Sequence, residues 1–441
     1  MINKVSTLFF GILSTIALAQ QSLSIDDAWQ YAVDHNVEIQ KAKINQQIAK
    51  HKVNETIGIG LPQINAQGKY NYFLELPTQL LPAEIMGGPR GVYVPVQFGQ
   101  KHTATGGISL RQLIFNGSYI VGLESSKAYR ETSDLVAQKT RLSIKQGVLL
   151  AYTAVLVMEE NLITLEENRR TVAKSLNDMK KTYELGLVEF QNVEQLEYSY
   201  KTLITNIENL KRTKEKLLMS LKYVIGYPLN ETLTLTSTLK SLIQKNEVLV
   251  DTEKNDVQNH IDFKLKKNVL RLSKLKLKLE KSKALPSLTG FISTSYNGNS
   301  NEFSFFDKDQ KWFNTSVVGL QLDIPIFSGL QRSYKTQQAK LEVKKAEMDL
   351  DNTQRKLQND LKSAQIDYEN AYNSFNNAKE LIQLSSSIYH KQQIKFKEGL
   401  GTSFELQQAE NQLYKSQTKY YNSALSLIQA KTKLDQALGK L

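Results

Sequence analysis

Apolar positions recur every three to four residues at Ile25, Ala28, Trp29, Ala32 and Val33, behind Ser24 and with Asp26 and Asp27 in the first turn. A capping hydroxyl followed by acids at the positive end of the helix dipole predicts a helix start at Ser24. The helix is expected to run to about Glu55 and to stop near Gly58 and Gly60. After Pro62 the period changes to two. Ile64, Ala66, Gly68, Tyr70 and Tyr72 fall on one face, and Gln63, Asn65, Gln67, Lys69 and Asn71 on the other. About ten alternating residues is the length of a membrane-spanning strand, although a half-buried strand of a soluble sheet has the same pattern. Residues 74–100 hold Pro77, Pro82, Pro89 and Pro95 and read as an exposed loop. A second alternating strand is expected over Lys101–Phe115. A second pair is expected over Pro286–Asn297 and Phe313–Ile326, around a shorter polar loop.

Between the strand pairs lie proline-free stretches with helical periodicity, Ser118 to about Glu184 and Leu330 to Lys397. Sixty-odd residues at the helical rise give a helix on the order of 100 Å, far longer than a globular one. In the second, Leu350, Gln354, Leu357, Leu361, Ala364, Tyr368, Ala371, Phe375, Ala378, Ile382, Ser385 and Tyr389 step by fours and threes, interrupted only in character at Gln354 and Ser385. That period of 3.5 is a coiled-coil seam. The helices that follow continue it at Leu196, Tyr200, Leu203, Ile207, Leu210, Leu217, Leu221 and Val224, with Lys214 as its one bad break, and at Ala409, Leu413, Tyr420, Leu427, Leu434 and Ala437. The apolar run Val148–Met158 is short for a membrane span and reads as a buried helix segment.

The chain repeats itself. Residues 183–226 return at 396–439 with a constant offset of 213, pairing Tyr183 with Phe396, Gly186 with Gly399, Leu187 with Leu400, Glu197 with Glu410 and Gly226 with Gly439. Each copy reads as helix end, glycine turn and new helix, the tip of a long hairpin. Thr105–Gly117 matches Val317–Gly329, and Leu61-Pro62 matches Leu285-Pro286. The change of offset puts extra residues in the first copy's connection after Tyr72. The expected division is a signal peptide at 1–19, a first half at 20–228, a connecting equatorial element at 229–252 and a second half at 253–441.

Composition narrows the setting. Lys4, the apolar stretch Val5–Ile16 and Ala17-Leu18-Ala19 form a secretory signal with its cleavage site. The chain has no cysteine, which excludes disulfides and thiolate metal sites. A formal charge of +12 raises nucleic acid as a partner, and the export signal argues against it. The helix expected over Glu253–Lys283 concentrates nine basic residues between Lys264 and Lys283 against Glu280 alone. It is either a solvated face or a neighbour of anionic headgroups.

No catalytic constellation is present. His35, His51, His102, His260 and His390 lack metal-ligand spacing, and neither a phosphate loop nor a nucleophile elbow appears. The chain reads as a non-enzyme with no metal and no cofactor. The informative polar groups follow the tips: Glu189, Glu194 and Glu197 after the first, Glu405 and Glu410 after the second. They either stabilise helix starts or, repeated by symmetry, form cation-selecting rings.

An export signal, two halves, paired strands, very long helices and glycine tips (GLVEFQNVEQLE and GLGTSFELQQAE) together resemble the TolC-like outer-membrane efflux proteins. The opening SIDDAWQYAVDHNVEI is similar to that family's first helix. The resemblance implies a mainly α fold with a membrane β part. Long antiparallel coiled-coil hairpins would fill two repeated halves, and four strands per chain would complete a twelve-stranded barrel in a homotrimer. It implies a passive exit duct of a tripartite efflux or type I secretion system, in outer-membrane lipid and with a long periplasmic part. Its tips, at Gly186, Leu187, Gly399 and Leu400, would dock a periplasmic adaptor (membrane fusion) protein bound to an inner-membrane pump of RND, ABC or MFS type. The aperture rings fall at Glu405 and at Gln408, uncharged where the family has aspartate. The family's gate tyrosine, aspartate and arginine fall at Phe396, Asn192 and Gly401. All three differ, so a closed tip needs other contacts. The alternative is a pore-less coiled-coil scaffold or stalk, which leaves the alternating strands without a purpose.

Overall fold

The computed structural model describes residues 21–247 and 257–441. The signal at 1–19 and the end of the connecting element lie outside the described residues. In chain order the elements are β1 (Gln21–Leu23), α1 (Ile25–His35), α2 (Val37–Ile59), β2 (Gln63–Tyr72), β3 (Thr78–Pro82), β4 (Tyr93–Gln97), β5 (His102–Asn116), α3 (Gly117–Glu184) and α4 (Phe190–Ile225). There follow β6 (Leu233–Leu235), α5 (Leu239–Asn246), α6 (Ile261–Ser282), β7 (Ser287–Ser300), β8 (Trp312–Asp323), α7 (Gln331–Lys397) and α8 (Ser403–Ala437). The fold is mainly α, with helices of 68 and 67 residues at α3 and α7.

The residues divide into two compact units. One comprises the described residues up to Ile44, with Leu135–Lys264 and Asn352–Leu441. Its core takes Val148, Tyr152, Val155 and Leu156 from the apolar run of α3, Leu221 and Ile225 from α4, and Leu427, Ile428 and Leu434 from α8. The run is therefore a packing face, although α3 holds a stretch apolar enough by composition to cross a membrane. The Tyr152 hydroxyl donates to the Leu23 carbonyl at 2.8 Å and accepts from the Ser237 amide at 3.1 Å. Those contacts tie the core to β1 and to Ser237 just after β6, the strand that pairs with β1 in parallel. The seam break at Lys214 is compensated by a 2.7 Å ion pair to Glu159.

Ser24 caps α1 in a capping box with Asp27. The continuous first helix expected to Glu55 is instead two helices broken at Asn36. The Asn36 backbone is extended. Its Oδ1 accepts from the amides of Glu38 and Ile39, starting α2, and its Nδ2 donates to the Val224 carbonyl at the end of α4 at 2.7 Å. A side chain that offers the backbone new partners stops one helix and caps the next. The Thr-rich connection is more ordered than expected: β6 and α5 lie in it, and Leu239, Leu242 and Ile243 are buried.

The second unit comprises Asn45–Asp134 and Leu265–Asp351 and holds a four-stranded antiparallel sheet of order β2-β5-β7-β8. Its register aligns the alternation across all four strands. One row reads Ile64, Leu110, Ile292, Val318; the next reads Asn65, Ser109, Ser293, Val317. One face is thus largely apolar, with Thr294, Asn314 and Ser316 as polar members, and the other largely polar, with Leu113, Phe291, Phe313 and Val317 as apolar members. β8 ends at Asp323, short of Ile326, because Pro325 offers no amide to a ladder. The proline-rich loop after Tyr72 contains the hairpin β3–β4, in which Pro82 and Pro95 sit within a two-stranded ribbon that has only edges. Tyr70, Tyr72, His102, Phe303 and Phe305 cluster at the loop end of the sheet. In α6, Arg271, Lys274 and Lys278 pair with Glu131, Glu347 and Glu124 of α3 and α7, so part of the basic run is a cross-helix ion-pair face.

Candidate functional site

The two tips lie in the first unit and match to the residue. α3 ends at Glu184 and α4 starts at Phe190; α7 ends at Lys397 and α8 starts at Ser403. All of these are separated by the repeat offset. In each, a glycine takes the left-handed conformation that a side chain resists: Gly186 at φ 73° and Gly399 at φ 71°. Leu187 then donates its amide back to the Thr182 carbonyl, and Leu400 to that of Lys395, closing the helix in a Schellman turn. The turn leaves Leu187 and Leu400 projecting, 72% and 79% exposed.

The tips differ in how their second helices begin. Thr402 caps α8, its hydroxyl accepting from the Glu405 amide at 3.2 Å while the Glu405 carboxylate accepts from the Thr402 amide at 3.0 Å. Glu189, at the matching position, makes no side-chain cap. Glu405 also accepts from Gln392 of α7 at 3.0 Å. The Thr402 amide, with smaller contributions from the Thr402 hydroxyl, Gln392 and Lys395, holds its carboxyl below the ordinary carboxylate range. Gln408 stands exposed one turn on, in a shallow polar groove with Phe404, Asn411 and Lys415.

Between the tips runs a groove of about 660 Å³. Asn192, Phe396 and Gly401 all line it. Phe396 packs on Leu176, Val193 and Leu196. A side chain at Gly401 would meet Gln392 at 3.1 Å and Lys395 at 3.3 Å, so the second tip is closely seated on α7. The sequence reading missed the tilted ring contact of Tyr183 with Phe190 beneath the first tip, at 5.3 Å between centroids, and the exposure of Leu185 and Phe404. Large apolar residues next to a glycine turn, off the seam, were the signal.

Glu197 and Glu410 share a repeat position but not an environment. Glu197 is partly exposed and pairs with Lys201 at 2.8 Å, and that bond lowers its pKa. Glu410 is buried at 2% exposure, and the Tyr414 hydroxyl donates to it at 2.5 Å.

Comparison with known proteins agrees with this architecture. The family described as "Outer membrane efflux protein" matches residues 265–440. The outer membrane protein TolC of Vibrio cholerae is 19% identical over 331 residues, 74% of this chain and 70% of that protein. The proteases secretion protein PrtF of Dickeya chrysanthemi is 19% identical over 351 residues, 78% of this chain and 72% of that protein. The crystal structure of the outer membrane protein VceC from Vibrio cholerae shares the fold, with a TM-score of 0.72 at 14% identity, covering 94% of this chain and 96% of that one.

Proposed function

We infer that this chain, a TolC-like outer membrane efflux protein, works as a passive exit duct, and that three copies form the working unit. It is an outer-membrane protein and not an enzyme. The observation that carries the three-fold reading is the open sheet. β2 and β8 each have one unpaired edge among the described residues, and one face of the sheet is apolar. In lipid each unpaired edge group costs several kcal/mol, and four strands enclose no lumen. Pairing β8 of one copy with β2 of the next satisfies both edges. Three copies then make a twelve-stranded barrel with Asn65, Ser109 and Ser293 toward water. On this reading residues 20–228 and 253–441 are two halves joined by 229–252.

At the tips, Leu187 and Leu400 suit apolar contacts to a periplasmic adaptor that brings an inner-membrane pump, and Glu405 and Gln408 supply the rings of the aperture. The duct is tested by the mass of the detergent-solubilised protein and its conductance in a planar bilayer. A trimer with discrete openings is expected; a well-folded monomer without conductance overturns the reading. Docking is tested by Leu187→Asp with Leu400→Asp. Conductance should persist while pump-dependent export is lost, and retained export would exclude the tips as the docking surface.

A further inference from the structure

Glu410 lies two turns into α8, and nothing in the duct reading requires an acid there. Its carboxylate is buried among three hydroxyls from three helices. Tyr414 of its own helix donates to Oε1 at 2.5 Å, the Ser199 hydroxyl of α4 faces the carboxylate and favours its ionised form, and Tyr389 of α7 stands close enough for the Glu410 charge, added to burial, to push its phenol up to about 12. No lysine, arginine or histidine pairs with Glu410 among the described residues. On α4 the nearby Glu197 and Lys201 pair with each other, and on α7 His390 and Lys391 are exposed. On α3, Leu165 and Val172 belong to the apolar cluster against which Tyr414 packs, and Arg169 pairs with Glu166. Along α4, Ser199 falls between Val193 and Leu196 of the tip cluster and Leu203 and Ile207 of the next cluster up. The acid is therefore buried where α8 packs near Ser199 of α4 and Tyr389 of α7, just above the tips.

The matching Glu197 shows that this position does not force an acid inward. A buried carboxylate without a cation is costly, whereas the neutral acid both donates and accepts and fits a ring of hydroxyls. Burial raises Glu410 above the ordinary carboxyl range, against the opposing bonds from Tyr414 and Ser199.

We propose that Glu410 is a proton-operated latch of the duct's tip: as the neutral acid it ties α8 to α4 and α7, and on losing its proton to solvent it draws in water and frees the start of α8. The proposal deepens the exit-duct reading and rests on it. Its sign follows from the direction of the shift. The latch is complete below the ordinary carboxyl range and is lost as pH rises through the raised folded value.

The test compares wild type, Glu410→Gln and Tyr414→Phe from pH 5 to 9. The readouts are bilayer conductance and amide hydrogen exchange of residues 403–415 in detergent, corrected for intrinsic pH dependence. In wild type, protection should fall about tenfold across the titration as conductance rises. Glu410→Gln should stay latched and flat. Tyr414→Phe removes a bond that favours the ionised form, so its midpoint should move up; a merely structural tyrosine would leave the midpoint in place. Wild-type exchange that is flat with pH, or Glu410→Gln titrating like wild type, overturns the latch. Absence of conductance at every pH, with exchange still titrating, would count against the duct and leave the latch standing.

Discussion

Val317 and Val318 are adjacent, identical residues on opposite faces of β8, and arginine placed at each in turn tests the orientation of the whole sheet. Val318 is 76% exposed on the apolar face, in the row with Ile64, Leu110 and Ile292. Val317 is 46% exposed on the polar face, beside Ser293 and in the row with Ser109 and Asn65. Both lie near the middle of a twelve-residue strand. Arginine facing lipid near the midplane of a membrane strand costs about 2–4 kcal/mol. That is about 30- to 1000-fold in the folding equilibrium of one chain. In a three-fold barrel the same change counts three times, about 6–12 kcal/mol. Arginine facing a water-filled lumen should cost little, so Val317→Arg should fold nearly as wild type does. The assay is urea-dependent folding into lipid vesicles, read by tryptophan fluorescence and by the heat-dependent gel mobility of the assembled form. Val317→Arg at least as damaging as Val318→Arg would refute the assignment of faces, and with it the argument for closure by other copies.

Three further outcomes are expected. Tyr152→Phe leaves the Leu23 carbonyl and the Ser237 amide short of a buried partner and should lower stability by about 1–3 kcal/mol, measured by denaturant unfolding. Thr402→Ala removes the cap of α8 and should cost about 1 kcal/mol locally, seen as faster amide exchange at residues 403–406, while Glu189→Ala leaves the start of α4 unchanged. Glu405→Ala should weaken cation preference, read from reversal potentials in asymmetric salt. Because the folded carboxyl is held low, the Glu405 contribution to capping and selectivity is present above the ordinary carboxyl range and disappears only as pH falls through the lowered value.

Features encoded in short range were legible in the sequence. The tip glycines, the two-residue alternation and the coiled-coil seam each announce themselves within a few turns, and the constant offset of 213 reappears in the matching helix ends around both tips. What escaped notice depends on distant partners. Asn36 breaks a helix that its own periodicity continues, with the Val224 carbonyl, far along the chain, as one of its partners. β1 and β6 pair across about two hundred residues, and three-residue strands carry no pattern of their own. Glu410 reads as one more helix acid, because the hydroxyls that enclose it come from α4 and α7 as well as from its own helix. The proline-rich loop concealed β3 and β4, since prolines argue against strands except at edges, and a two-stranded ribbon is all edge.

The unequal fastening of the two turns has a consequence for motion. The hairpins are matched in backbone, yet only the second is pinned by a capping box and by Gln392. If three copies close a ring as proposed above, it carries six such stations, three pinned and three unpinned. Deformations of such a ring divide by compliance: those led by the three loose stations meet little resistance, and those led by the three pinned ones must first break hydrogen bonds. Opening that follows the loose stations would keep the three-fold symmetry of the ring and lose the six-fold symmetry of the repeat, a difference that rests on Thr402, Glu405 and Gln392 against Glu189.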